Sequence, residues 1–303
     1  MIKNMLLRRF CIASLLFLVA FVLYSYPKEL NQNIDTFFNK QNIYLIDLNN
    51  LVALTQVNIE DDSSVNSMIE NTINCLTIDS SCDTKNFNKI IPKDTKLLDY
   101  SVNENILKIN FSKEFLNVSK DNEEKMLESI IFSLTEIKGI NKIMIFVEGD
   151  LLSKLPHSSK KLDLYLDRSF GINKVYNITN IKDTSLVTVY YLDHNCSYFV
   201  PVSYITNDDN KLEIIINNLK TNSYPIGNLS SMLDYQVELI DYVLEDEELT
   251  LNFNNILLNS VVNGSLTEEV KYAIYYSIKD SFGIDNVVFN INDKKIDYLG
   301  LAK

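Results

Sequence analysis

The sequence predicts an α+β fold made twice over, each copy a mainly antiparallel sheet with two helices on one face, after one N-terminal transmembrane helix. Three observations predict it. LLDYSVNENILKINFSKEFLN at 97–117 recurs as LIDYVLEDEELTLNFNNILLN at 239–259. Period-two strand patterns and 3.6-residue helix patterns follow in the same order around both stretches. Residues 10–26 carry no charge and follow a basic flank.

The N-terminal segment, 1–30, reads as a membrane anchor. Lys3, Arg8 and Arg9 stand before Phe10–Tyr26, which is apolar or small apart from Ser14 and Ser25. At about 1.5 Å per residue this run nearly crosses a hydrocarbon core of roughly 30 Å, with Tyr24 and Tyr26 at the level of an aromatic belt. The basic flank places the N-terminus in the cytoplasm and the chain from Lys28 onward outside the cell membrane. A cleaved signal peptide is the competing reading, although no small-x-small site follows the run. A lipid-modified cysteine fits less well, because Cys11 lies at the start of the run and not at its end.

The first copy, 40–150, begins with the strand YLIDLNN from Tyr44 and a second extended run, Leu51–Val57. Val65, Ile69, Thr72 and Leu76 then lie on one helical face. In the hairpin, Leu98, Tyr100 and Val102 alternate with Leu97, Asp99 and Ser101, Asn103-Glu104-Asn105 turns the chain, and Leu107, Ile109 and Phe111 return with the same period. A helix follows with Leu127, Ile130, Ile131, Leu134 and Ile137, opened by an Asp121-x-x-Glu124 capping box and closed at Gly139 before the strand INKIMIFVEG. The segment 151–185 joins the copies; Leu162, Leu164, Leu166, Phe170 and Ile172 make it too apolar for a free tether, so it should pack.

The second copy, 186–298, repeats the order. YYLDHNC from Tyr190 and Tyr198–Ile205 are strands, and Leu212, Ile215, Ile216 and Leu219 share a helical face. Ile240, Tyr242 and Leu244, the acidic turn Glu245-Asp246-Glu247-Glu248, and Leu249, Leu251 and Phe253 form the hairpin. Val270, Ile274, Ile278 and Phe282 mark the second helix, with Ser265-x-x-Glu268 as its capping box and Gly283 as its stop. Each copy is β-β-α-β-β-α-β and is expected to form its own sheet and to unfold cooperatively by itself.

Chemistry-bearing patterns are few. A formal charge of −12 and a pI near 4.7 leave no basic field to recruit phosphate, which excludes nucleic acid as a partner. Two histidines, His157 and His194, are too few for a multi-histidine zinc centre, and 7 glycines offer no phosphate-cradling loop. Asp193-His194-Asn195-Cys196 is a tight surface turn without the desolvated geometry of a nucleophile. Carboxylate pairs Asp61/Asp62, Glu123/Glu124 and Asp208/Asp209 precede or open helices and favour the positive end of the dipole. No catalytic, metal or cofactor site is therefore assigned. Cys75 and Cys82 either pair across a short turn or stand as two small apolar residues. Open sheet edges, with Phe132, Tyr275 and Tyr276 on helices, are the candidate interaction surface; for Tyr275 and Tyr276 a core position with a polar tip is the other reading.

IPKDTKLLDYSV (91–102), INFSKEFL (109–116), FSLTEIKGI (132–140) and KIMIFVEG (142–149) together resemble the GerMN domain family. The linker LDRSFGINKVY (166–176) is similar to the segment that follows this domain in the family, whereas SSMLDYQVEL (230–239) lacks the proline-led entry. The resemblance implies a non-enzymatic envelope protein without a cofactor. Its modules would be similar to ring-building motifs that assemble side by side, with envelope or sporulation proteins as partners in the complex joining mother cell and forespore. The family protein is lipid-anchored, and here residues 10–26 take that place. A module binding cell-wall glycan or a small ligand is the alternative, which an aromatic groove with saturable glycan binding would favour.

Overall fold

The computed structural model describes residues 39–59, 64–84, 86–220, 226–231 and 233–300. The anchor expected at 10–26 and the pair Asp61/Asp62 lie outside these. Among the described residues no helix is long and apolar enough to cross a membrane. Residues Lys40–Lys303 form one compact unit.

The first copy holds β1 (Asn39–Ile46), β2 (Val52–Ile59), α1 (Val65–Leu76), β3 (Leu97–Asn103), β4 (Ile106–Phe111), α2 (Glu123–Leu134), β5 (Lys142–Val147) and β6 (Asp150–Leu151). The linker adds β7 (Val175–Asn177). The second copy holds β8 (Ser185–Asp193), β9 (Phe199–Thr206), α3 (Lys211–Leu219), β10 (Leu229–Ser230), β11 (Leu239–Glu245), β12 (Glu248–Phe253), the short pair β13 (Val261–Val262) and β14 (Ser265–Leu266), α4 (Glu268–Phe282), β15 (Asn286–Ile291) and β16 (Lys294–Leu299).

These strands do not make one mainly antiparallel sheet per copy, and this corrects the expected architecture. The first strand pairs of both copies join in one six-stranded sheet, ordered β1-β2-β9-β8-β10, with β7 also on β9. β2 meets β9 at Leu54 and Phe199, and β7 takes the same edge farther along, at Tyr204–Thr206. Each copy keeps a separate four-stranded sheet, β3-β4-β5-β6 or β11-β12-β15-β16. The central pairs β4/β5 and β12/β15 are parallel because a helix carries the chain between them, and a helical crossover returns it in the same direction.

Both hairpins close with two residues at positive φ, Glu104-Asn105 (49° and 62°) and Asp246-Glu247 (46° and 65°), the handedness that matches strand twist. Their first strands are less buried than the alternation predicts. Leu107, Ile109 and Phe111 of β4 enter the core, but Leu98 and Val102 of β3 are exposed, as are Ile240, Tyr242, Val243 and Leu244 of β11. Tyr100 and Val102 pair with Ile109 and Leu107 and so share their face, yet at the outermost strand they reach only the rim of the core.

The helix starts differ from the capping boxes. Asn122 and Thr267 are the N-caps of α2 and α4, without side-chain capping bonds, and Ser265 belongs to β14. Charge does part of that work, since Glu123, Glu124, Glu268 and Glu269 occupy the first turns. Gly283 does end α4, in the left-handed conformation with its N–H on the Lys279 carbonyl. Gly139 lies beyond the end of α2, after further turns that carry Ile137 and Ile140 into the core.

Candidate functional site

The most elaborate polar centre lies where the two copies meet. Tyr44 of β1 and Tyr190 of β8 occupy equivalent places, 146 positions apart, and their buried hydroxyls touch at 2.8 Å. Equivalent serines hold their backbones: the Tyr44 N–H donates to Ser133 Oγ of α2 at 2.8 Å, and the Tyr190 N–H to Ser277 Oγ of α4 at 2.9 Å. Equivalent residues of the two copies thus meet around a pseudo-two-fold axis.

Arg168, from the linker, fills that axis. Its guanidinium pairs with Glu136, just beyond α2, and with the corresponding Asp280 in α4. It also donates to Thr135 Oγ1 at 3.0 Å and to the Phe132 carbonyl at 3.1 Å, and it lies over the rings of Phe132 and Tyr44. Tyr190 donates to Asp280 at 2.5 Å. Planarity and five donors suit arginine to such a buried, forked contact.

Burial pushes the Tyr44 and Tyr190 hydroxyls well above their ordinary range, so both stay protonated as donors. The two carboxyls diverge although they share one guanidinium. Burial would raise Glu136, but Arg168 and Lys279 together bring it below the usual carboxylate range. At Asp280 burial wins over Arg168, and its proton affinity rises.

A second linker contact repairs the seam between the sheets. Asn173 Oδ1 accepts the Val52 N–H at 3.0 Å, and Nδ2 donates to the carbonyls of Val52 at 2.7 Å and Pro201 at 2.8 Å. Proline has no N–H to give a neighbouring strand, and at this point the side-chain amide stands in for a ladder residue between β2 and β9. The Asn173 N–H donates to the buried Glu128 carboxylate, which also binds Lys174 at 2.7 Å. Gly171 permits the approach: at φ 75° and ψ 164° it bends the chain between Arg168 and Asn173, and a Cβ there would crowd Lys174, Leu186 and Ser203 at 3.2–3.3 Å.

Of the expected contact residues, Phe132 is fully buried beneath Arg168 and offers no surface, which corrects its assignment. Tyr275 and Tyr276 are partly buried in a ring cluster with Tyr272, and Tyr276 also packs on Tyr190 and Phe199. Cys75 and Cys82 form a disulfide with Cα atoms 5.0 Å apart. In the Asp193–Cys196 turn the Asp193 carboxylate accepts the N–H groups of Asn195, Ser197 and Tyr198, which shapes the turn. Among the described residues no His, Cys, Asp and Glu group is arranged to hold a metal ion.

Sequence reasoning missed Arg168, Asn173, Glu136 and Asp280. One signal was available: Arg168 is the only arginine after Arg9 in a chain otherwise supplied with lysine.

The arrangement of paired copies has counterparts. The spore germination protein GerM of Bacillus subtilis (strain 168) is 28% identical over 209 residues, covering 65% of this chain and 56% of that protein, so the match spans little more than half of that relative's length. The solved tandem GerMN domains of the sporulation protein GerM from Bacillus subtilis share the fold with a TM-score of 0.75 at 21% identity, over 88% of this chain and 97% of that one. A family model described as "Germane: Sporulation and spore germination" matches residues 41–153 and 188–297. With both copies matched, the chain belongs to the Germane family of sporulation and spore germination proteins, as a tandem GerMN-domain protein that resembles GerM.

Proposed function

We propose that this protein is a non-enzymatic scaffold or protein-interaction module of the cell envelope that supports assembly of a sporulation or germination complex. Residues 10–26 hold it in the membrane with both domains outside, and its partners are envelope or sporulation proteins. Side-by-side self-assembly of the modules belongs to the same reading. The observation that supports it is a division of labour within the tandem. The polar groups of the junction are spent on one another and on the linker, whereas the outer strands β3 and β11 have, among the described residues, no neighbour on one edge and carry exposed apolar side chains. Buried, mutually satisfied groups hold a shape, and open edges recruit other chains.

The test is the location of a fluorescent fusion through growth and sporulation, with cross-linked partners identified by mass spectrometry. Concentration at the septal or engulfing membrane, with envelope complex proteins cross-linked, is the expected result. Even distribution in growing cells without such partners would refute the assignment.

A further inference from the structure

A groove of about 880 Å³ runs between α1 and β3. Its first wall is Glu70, Ile73 and Asn74 of α1 with Thr77–Ser80 just beyond its end, and the Cys75–Cys82 disulfide ties that loop back to the helix. Its second wall is Leu97–Tyr100. Alternate side chains of a strand point to opposite faces, so four consecutive lining residues place the groove along the edge of β3 and not over one face of its sheet.

That edge is available. β3 ends the order β3-β4-β5-β6, and among the described residues no strand lies on its outer side. The hairpin is closed by the pair Asn103 and Ile106, and ladder bonds fall on alternate residues, so Tyr100 and Val102 turn their N–H and C=O groups away from β4. The electrostatics of the groove are one-sided. Glu70, Asp79, Asp94 and Asp99 line it against Lys93 alone, and Lys93 is already paired with Asp79 at 3.1 Å. Three carboxylates remain for a ligand, with Glu70 oriented by the Tyr100 hydroxyl at 2.7 Å.

We propose that this groove binds an extended basic segment of a partner protein, added as a further strand on β3 with its cationic side chains on Glu70, Asp94 and Asp99. The backbone edge supplies affinity and the carboxylates supply the choice of partner. A second copy of this chain is the poorer occupant: it carries a net charge of −12, and its exposed strand β11 leads into Glu245-Asp246-Glu247-Glu248. The disulfide keeps the α1 wall in place before the segment arrives, so less ordering is required on binding. The proposal rests on the interaction-module reading above and gives the chemistry of one partner.

The test uses the full chain in detergent and two fluorescein-labelled peptides, KVRVKV and EVEVEV, with anisotropy for affinity and hydrogen exchange for location. KVRVKV should bind saturably and more weakly as salt rises, amides of 97–103 should gain protection, and EVEVEV should not bind. Glu70→Lys with Asp99→Lys should weaken binding by about tenfold or more without unfolding the protein. Reduction of the disulfide should weaken it further. No saturation up to about 1 mM peptide, protection confined to other segments, or unchanged affinity in the double variant would overturn the proposal. So would protection of 97–103 that rises with protein concentration alone, which would assign the edge to a second copy. Peptide failure while cross-links to sporulation partners persist would remove the groove and leave the scaffold assignment standing.

Discussion

Arg168 shows how one residue can decide whether two domains are a pair or a unit. It faces Glu136 from one copy and Asp280 from the other, and no other cation among the described residues is ion-paired with either. Truncation to Met leaves the Glu136 and Asp280 carboxyls in a dry site without their cation, at an expected cost of about 3–5 kcal/mol, read as the shift in a denaturation midpoint. Adding Glu136→Gln and Asp280→Asn to that variant should restore part of the loss, because neutral amides cost less to bury. The tyrosines carry a pH signature. Their folded values are raised well above 10.0, so the unfolded chain loses these protons first as pH rises. Stability from Tyr44 and Tyr190 is therefore complete below pH 10 and declines above it, by roughly 1.4 kcal/mol per pH unit for each. Tyrosinate absorbance should appear for this pair only together with unfolding, whereas smooth titration ahead of unfolding would show them to be wet. Composition hinted at Arg168, but its partners lie 32 residues upstream and 112 downstream, beyond the reach of any periodicity.

At the scale of elements, local chemistry was legible and pairing was not. The hairpins, the helices of the two copies and the stop at Gly283 follow from alternation, periodicity and a left-handed glycine, all carried by neighbouring residues. The joined sheet follows from which edges meet. Alternation says that Tyr44 and Tyr190 face inward and says nothing of their facing each other. The capping boxes failed for a related reason, since Ser265-x-x-Glu268 fits the pattern while Ser265 is held in the β13/β14 pair. Asn173→Ala tests the seam directly. It leaves the Val52 N–H and two carbonyls without their partner and should cost about 1–3 kcal/mol, with faster exchange of the Val52 amide. Cys82→Ala should lower stability by about 2–3 kcal/mol on the loop-entropy estimate, with increased exchange confined to the end of α1 and the groove wall.

For the whole molecule, the joined sheet, the tyrosine pair and the Arg168 bridge tie the two copies together within one compact unit. Neither core is sealed from the other: Tyr190 of the second copy belongs to the first hydrophobic core, and Ala53 of β2 belongs to the second. On the function proposed above, the outer strands β3 and β11 are the edges this unit would offer to partners. The most direct test is calorimetric unfolding of the full chain in detergent. One transition, with its calorimetric enthalpy equal to the van't Hoff value, is expected of a body whose copies share a sheet and a buried ion pair. Two separate transitions, one for each copy, would contradict it.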